Sequence, residues 1–322
     1  MRQFAKPTIV VSKCLGFDAC RYNGEMIPDV TIRNLQPFVT FIPVCPEVEI
    51  GLGTPRETIR IVEENGENRL VQPSTREDVT EKMEQFSNDF LQTISDVDGF
   101  ILKNRSPSCG TRDVKIYSGF EKAPAKGKGS GLFGGAVVKK FSHLPIEEEG
   151  RLSNFIIREH FFTRLFTIAY YKMIKHNKNM KDLVSFQSDN KYLFMAYNQV
   201  KQKELGRIIA NHKNEKIEVV FENYEKTLYE LFMRTPRYTS NVNVCEHIFG
   251  YFKTKLKKQE KDHFIELLQK YAEKKIPLSS LLTILKSWAI RFDEKYLLRQ
   301  TYFEPYPEAL VEISDSGKGR DY

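Results

Sequence analysis

The sequence has no unbroken apolar run of 18 residues, so no segment reads as a membrane-spanning helix. Its N-terminus, MRQFAKPTIVV, lacks both a long apolar segment and a small-residue cleavage site, and the expected location is the cytoplasm, with no membrane partner. Cysteine is scarce: five widely spaced residues in 322 do not make a disulfide framework, which leaves reduced thiols free for a metal. No CxxC pair or close Cys/His pair makes the standard zinc signature. The glycine-rich stretch 121–135, EKAPAKGKGSGLFGG, lacks the GxxxxGK[ST] pattern, which excludes a P-loop. It reads as a flexible loop, with Lys126 and Lys128 as candidates for phosphate contacts.

What is present suits a protein with two packed domains. Apolar residues make up 41% of the chain, enough for cores, and charged residues 28%, an ordinary share. A length of 322 residues suggests two domains. Charge divides them. Residues 1–150 carry 19 Lys+Arg against 21 Asp+Glu, a net of −2, whereas residues 151–322 carry 30 against 21, a net of +9. A positive excess confined to one half points to a polyanion surface, although a solvated face also accounts for such a balance.

Three cysteines each follow a short β-branched or apolar run. Cys14 comes just after residues 8–11, Cys45 directly after 39–44, and Cys109 after the run 100–102 and a polar turn. In open α/β sheets, sites assemble outside the C-terminal ends of the strands. Cys14, Cys45 and Cys109 are therefore expected to converge. The competing use for each is a small buried hydrophobe in the core. Three thiolates at strand ends suit either zinc with a fourth ligand or an iron–sulfur cluster. Cys20, in the loop KCLGFDACRYNG, is the rival fourth ligand. Glu47, two residues past Cys45, is either a surface acid or a proton donor or acceptor beside the thiolates.

The remaining pattern predicts an α/β N-terminal domain with a mostly parallel sheet and an all-α C-terminal domain. Residues 59–62 and 69–72 flank Asn65-Gly66 and read as a hairpin. A helix is expected from Ser74 or Thr75 to about Ile94, with Val79, Met83, Phe86, Phe90, Leu91 and Ile94 on one face. Residues 25–38 give no clear signal. The polar stretch 145–150 marks the expected boundary, giving domains 1–148 and 190–322 joined by a helical connector, 149–189. Helices are expected over about 180–187, 189–206, 214–234, 240–257, 260–272 and 278–298, with Pro277 opening the last. The densest mixture of cations and rings is YFKTKLKK, 251–258, with Arg234, Arg237 and Tyr238 upstream. Arg237, Lys253, Lys255, Lys257 and Lys258 are the candidate nucleic-acid contacts, since phosphates attract cations and bases stack on rings. His247 and Cys245 read as structural.

Three motifs in order, SKCLGFDACRYNG (12–24), VCPEVEIGLGTPR (44–56) and KNRSPSCG (103–110), resemble the desulfidase domain of the thiouracil desulfurase family over about residues 5–148. NVCEHIFGYFKTKL (243–256), IPLSSLLTILK (276–286) and QTYFEPYPEAL (300–310) resemble a second bacterial domain often fused to it. The resemblance implies a [4Fe-4S] cluster held by Cys14, Cys45 and Cys109 with one iron open. It also implies Glu47 as the catalytic acid, Ser106 as the catalytic serine with Ser108 its close rival, and an RNA-binding helical domain. A departure is Tyr197, where the family more usually has histidine. Two-domain members of this type look like desulfidases that replace the C4 sulfur of 4-thiouridine in tRNA by oxygen. Two alternatives stand beside that expectation: a desulfurase of free thiouracil or thionucleotides, and a redox-sensing nucleic-acid-binding protein.

Overall fold

The computed structural model describes residues 2–94, 96–120, 124–211 and 214–312. The chain forms two units, Met1–Ala169 with the segment from Ala309 onward, and Tyr170–Glu308. The first is mixed α/β with a largely parallel sheet, and the second is predominantly helical.

In the first unit the elements run β1 (Thr8–Ser12), α1 (Val30–Leu35), β2 (Thr40–Val44), α2 (Pro46–Glu49), β3 (Arg60–Glu64), β4 (Glu67–Gln72) and β5 (Glu77–Asp78). They continue with α3 (Thr80–Thr93), β6 (Gly99–Leu102), β7 (Val114–Tyr117), β8 (Ala125–Gly129), α4 (Leu132–Phe141) and β9 (Ile146–Glu148). One sheet has the order β2-β1-β6-β9 and is parallel throughout. Ile9, Val10, Val11, Phe100, Ile101 and Leu102 in its two central strands are wholly buried, which is why those runs carry no polar alternation. Pro43 sits in β2, the edge strand, where a missing N–H costs no ladder bond on the open side. Chain order leaves β1 in one direction to β2 and in the other to β6, so the switch point lies between β1 and β6. A second sheet, β5-β4-β3-β7-β8, contains the expected hairpin of β3 and β4.

Several expectations shift. The helix expected from residue 74 or 75 starts at Thr80. Its first stretch stays extended because the Val79 N–H donates to the Leu70 carbonyl and the Leu70 N–H to Thr80 Oγ1, at 2.9 and 2.7 Å. The unassigned stretch contains α1, capped by Asp29, whose side chain accepts from the Ile32 N–H at 2.9 Å. The glycine-rich stretch is not one loop: residues 125–129 form β8 against β7, and α4 starts at Leu132. Residues 121–123 lie outside the described residues. Lys126 pairs with Glu63 and Lys128 with Asp113, so both candidate phosphate contacts are ion-paired within the first unit. The polar stretch 145–150 supplies β9, which pairs in parallel with β6.

The helices continue as α5 (Phe155–Asn177), α6 (Met180–Asp189), α7 (Lys191–Tyr197), α8 (Gln199–Ala210), α9 (Ile217–Leu231), α10 (Tyr238–Phe249), α11 (Lys258–Ala272), α12 (Leu278–Arg291) and α13 (Lys295–Leu298). The division between the units falls within α5. The helix expected over 189–206 is two, because Asn198 turns extended and its side chain caps α8 through the N–H groups of Val200 and Lys201. The one expected over 278–298 breaks after Arg291, where Asp293 adopts a positive φ of 48°. Among the described residues, the second half of the chain has no strand after β9. Its core is strongly aromatic: Trp288 packs on Phe264 at 5.3 Å and Tyr171 stacks on Tyr224 at 5.4 Å. Tyr197 packs edge-on against Phe232 at 4.7 Å. No helix among the described residues is long and apolar enough to cross a membrane.

Candidate functional site

The C-terminal ends of β1, β2 and β6 open onto a cavity of about 420 Å³. Cys14, Cys45 and Cys109 all line it, as do Cys20, Glu47, Arg56, Ser106 and Ser108. Each cysteine is placed by the element before it. The Lys13 N–H donates to the Val44 carbonyl at 2.8 Å, so the turn bearing Cys14 is stitched to the end of β2. Cys45 is the N-cap of the one-turn helix α2, whose first residue is Pro46. Cys109 ends a loop that leaves β6 at Leu102.

That loop is held from two sides. Glu148 and Glu149, at the end of β9, are both buried. Glu148 Oε1 accepts from the N–H of Thr111 at 2.7 Å and of Arg112 at 3.2 Å. Glu149 Oε2 accepts from the Asn104 N–H at 2.7 Å, and its other oxygen pairs with Lys103. On the opposite side, the N–H groups of Gly131, Leu132 and Gly134 donate to the carbonyls of Gly110, Pro107 and Ser108 at 2.7, 3.2 and 2.9 Å. The glycines of the GSGLFGG stretch thus permit a close approach to the SPSCG loop. A Cβ on Gly134 would lie 2.4 Å from the carbonyl oxygens of Cys109 and Gly110. Gly134→Ala is therefore expected to push Cys109 out of place. Such overpacking costs about 1–3 kcal/mol, or roughly 2–10 °C in Tm for a unit of this size. Thermal unfolding and iron content per chain would check it, and unchanged values of both would refute it.

Burial is the largest influence on the thiols of Cys14, Cys20 and Cys109. It pushes Cys14 up to about 11, with the neighbouring Cys45 adding to the shift. Cys20 is pushed up to about 12, again by burial first and then by Cys45. Cys109, fully desolvated, is raised further still, against the opposing effect of a hydrogen bond with Ser12. A cation set among these sulfurs would reverse that preference and hold them as thiolates. Among the described residues, no three His, Cys, Asp or Glu side chains stand close enough to share one metal ion. Three soft donors lining one cavity suit an iron–sulfur cluster as well as zinc with a fourth ligand. Cys20 also lines this cavity, and its carbonyl accepts from Arg56 Nη1 at 3.0 Å.

Beside the thiols runs a polar chain. The Glu47 carboxylate is bound on one oxygen, Oε2, by Arg56 Nε at 2.9 Å and Nη2 at 2.5 Å. Its other oxygen, Oε1, accepts from Ser108 Oγ at 2.6 Å. Ser106 Oγ lies 2.9 Å from Ser108 Oγ and 3.5 Å from Glu47 Oε1. Because the Ser108 proton is committed to Glu47, Ser106 is the donor to Ser108. Ser106 Oγ in turn accepts from the Cys109 N–H at 3.1 Å, which ties the serines to the cysteine loop. Of the two serines, Ser108 is wholly buried and Ser106 partly exposed. Arg56 stands in the GLGTPR motif without a role assigned from sequence. Glu148 and Glu149 read only as part of a polar boundary. A run of acids carries no sign that it will be buried, since burial follows from the partners the fold supplies.

The basic candidates lie in the second unit. Arg237 precedes α10, Lys257 precedes α11 and Lys258 opens it; all are exposed, as are Lys253 and Lys255. Lys255 pairs with Glu294 and lies over the Phe292 ring at 5.6 Å, which engages its charge. Phe252, within the same run, is wholly buried and belongs to the helical core rather than to a stacking surface. Cys245 is buried in that core, 3.9 Å from the Tyr302 hydroxyl. His247 is exposed on α10.

Comparison with known proteins agrees with this arrangement. A family model described as 2-thiouracil desulfurase matches residues 9–149, and one described as a protein of unknown function, DUF1722, matches residues 191–307. The uncharacterized protein YbbK of Bacillus subtilis (strain 168) is 36% identical over 118 residues, covering 34% of this chain and 77% of that protein. The uncharacterized protein YbgA of Escherichia coli (strain K12) is 23% identical over 156 residues, covering 48% of this chain and 92% of that protein. A solved structure described as a [4Fe-4S]-dependent thiouracil desulfidase, TudS, is 25% identical, with a TM-score of 0.37, over 46% of this chain and 93% of that one. The chain therefore belongs to the 2-thiouracil desulfurase family through its α/β domain, and its residues 191–307 are similar to the DUF1722 family.

Proposed function

We propose that the protein removes the sulfur of a thiolated uracil, as free base or nucleotide, and replaces it with oxygen from water. The observation that carries this is the cavity lined both by three strand-end cysteines and by the chain Glu47–Ser108–Ser106. Cys14, Cys45 and Cys109 are the residues that would hold a [4Fe-4S] cluster, which when bound supplies an open iron as a Lewis acid for the thiocarbonyl sulfur. Glu47 takes a proton from the attacking water through Oε1, the oxygen that Arg56 leaves free. Ser108 holds that oxygen in place, and Ser106, the more exposed hydroxyl, orients the base and relays a proton along the serine pair. The overall change is hydrolysis: C=S and water become C=O and hydrogen sulfide, with no net electron transfer.

A second reading, 4-thiouridine within tRNA, is favoured by the +9 charge of residues 151–322. Arg237, Lys253, Lys257 and Lys258 are exposed and make no ion pair among the described residues. A small base has no use for that field, whereas a polyanion does. Flipping a nucleobase out of a folded RNA costs a few kcal/mol, which backbone contacts can offset. The two readings separate in one comparison. The anaerobically reconstituted protein is given 2-thiouracil, 4-thiouridine monophosphate and bulk tRNA, and sulfide is measured from each. Turnover confined to the small substrates supports the first reading; loss of 4-thiouridine from tRNA supports the second. In the second case binding is expected to weaken with salt, at a log–log slope of about −0.7 to −0.9 per phosphate contact. A salt-independent affinity for tRNA would count against it.

A further inference from the structure

From this geometry we infer that Arg56 is a positioning residue, which sets the direction in which the Glu47 carboxylate faces; its place in the reaction rests on the desulfurase reading above. Its guanidinium uses two nitrogens on the same carboxylate oxygen, Nε at 2.9 Å and Nη2 at 2.5 Å from Oε2. That arrangement leaves Oε1 to Ser108 and to the cavity. The third nitrogen is anchored to the frame: Nη1 donates to the carbonyls of Gly53 at 2.8 Å and Cys20 at 3.0 Å. The backbone is anchored as well, since the Arg56 N–H donates to the Tyr22 carbonyl at 2.8 Å. The pair is shielded from water, with 4% of the arginine side chain and 13% of the glutamate side chain exposed. A planar fork fixed at three points holds a carboxylate in one orientation, whereas a lysine ammonium on a flexible stem can only neutralise it. Arg56 touches neither thiol nor serine in these contacts, so its effect on the reaction passes through Glu47.

Two measurements test this. In the cluster-loaded protein, Arg56→Lys is expected to lower kcat by about 10- to 100-fold, with KM within threefold of the parent and iron content unchanged, because charge survives and orientation does not. A kcat within threefold of the parent would overturn the assignment, and so would a matching loss of iron, which marks a purely structural role. The second measurement needs neither cluster nor substrate. In the metal-free protein, thermal midpoints are compared for Glu47→Gln, Arg56→Gln and the double variant. Acting through Glu47, Arg56 gives a double variant no less stable than Arg56→Gln alone, and a double variant that folds when Arg56→Gln does not is the extreme form of that result. Additive losses, or failure of both Arg56→Gln and the double variant to fold, would show that Arg56 acts independently of Glu47. If the parent releases no sulfide from any thiouracil, the desulfurase reading fails while the coupling in the metal-free protein still reports on Arg56.

Discussion

Glu47→Ala is expected to keep its iron and lose turnover by about two to four orders of magnitude, the usual contribution of a positioned acid–base group. Glu47 sits beside the thiols without binding metal in this account, so cluster content and its absorption spectrum should be unchanged. Removing the carboxylate also leaves Arg56 buried without its charge partner, and breaking such a pair from one side costs about 3–5 kcal/mol. Glu47→Gln separates the two effects. The amide keeps hydrogen-bonding capacity toward Arg56 or Ser108 but cannot take a proton at neutral pH. Both variants should therefore be slow, with Glu47→Gln the more stable. Turnover of Glu47→Gln within tenfold of the parent would remove Glu47 from the proton path.

The cysteines give the other large effect. Cys14→Ala, Cys45→Ala and Cys109→Ala should each lose the cluster, and sulfide release should fall to background, because two thiolates do not hold what three were placed to hold. Cys20→Ala should keep both. Cys20 lines the same cavity, but in the proposal the other three cysteines would hold the cluster and one iron would stay open to the substrate's sulfur. Iron and acid-labile sulfide counts on the four variants, purified anaerobically, check the assignment. Loss of the cluster in Cys20→Ala to the same extent as in Cys109→Ala would make Cys20 a ligand and close the open position.

The parts of this site that rest on local pattern are legible in the sequence. Ile9–Val11 and Phe100–Leu102 are uninterrupted apolar runs because both faces of their strands are covered, and the chain leaves each toward a cysteine. The parallel sheet and the helical second half follow from the same periodicity. The support of the site is not legible, because it depends on partners distant in sequence. Arg56 acquires its role only when the Gly53 and Cys20 carbonyls and the Glu47 carboxylate surround it. Glu148 and Glu149 resemble surface acids until β9 joins the sheet beside β6 and turns them toward the N–H groups of the 103–112 loop. The glycines at 131 and 134 suggest flexibility in sequence, yet they serve to bring α4 against the Cys109 loop. The helix breaks at Asn198 and Asp293 likewise come from single residues inside strongly helical patterns.

The central claim is that these residues hydrolyse a carbon–sulfur bond at a cluster, and one stoichiometry tests it most directly. The protein, reconstituted anaerobically to four irons per chain, is incubated with 2-thiouracil or 4-thiouridine monophosphate in the absence of any reductant. The account predicts repeated turnover, with sulfide and the oxygenated pyrimidine formed one to one and with oxygen from labelled water in the product. A fully loaded protein that releases no sulfide from either substrate, or that requires an electron donor for every turnover, would contradict it.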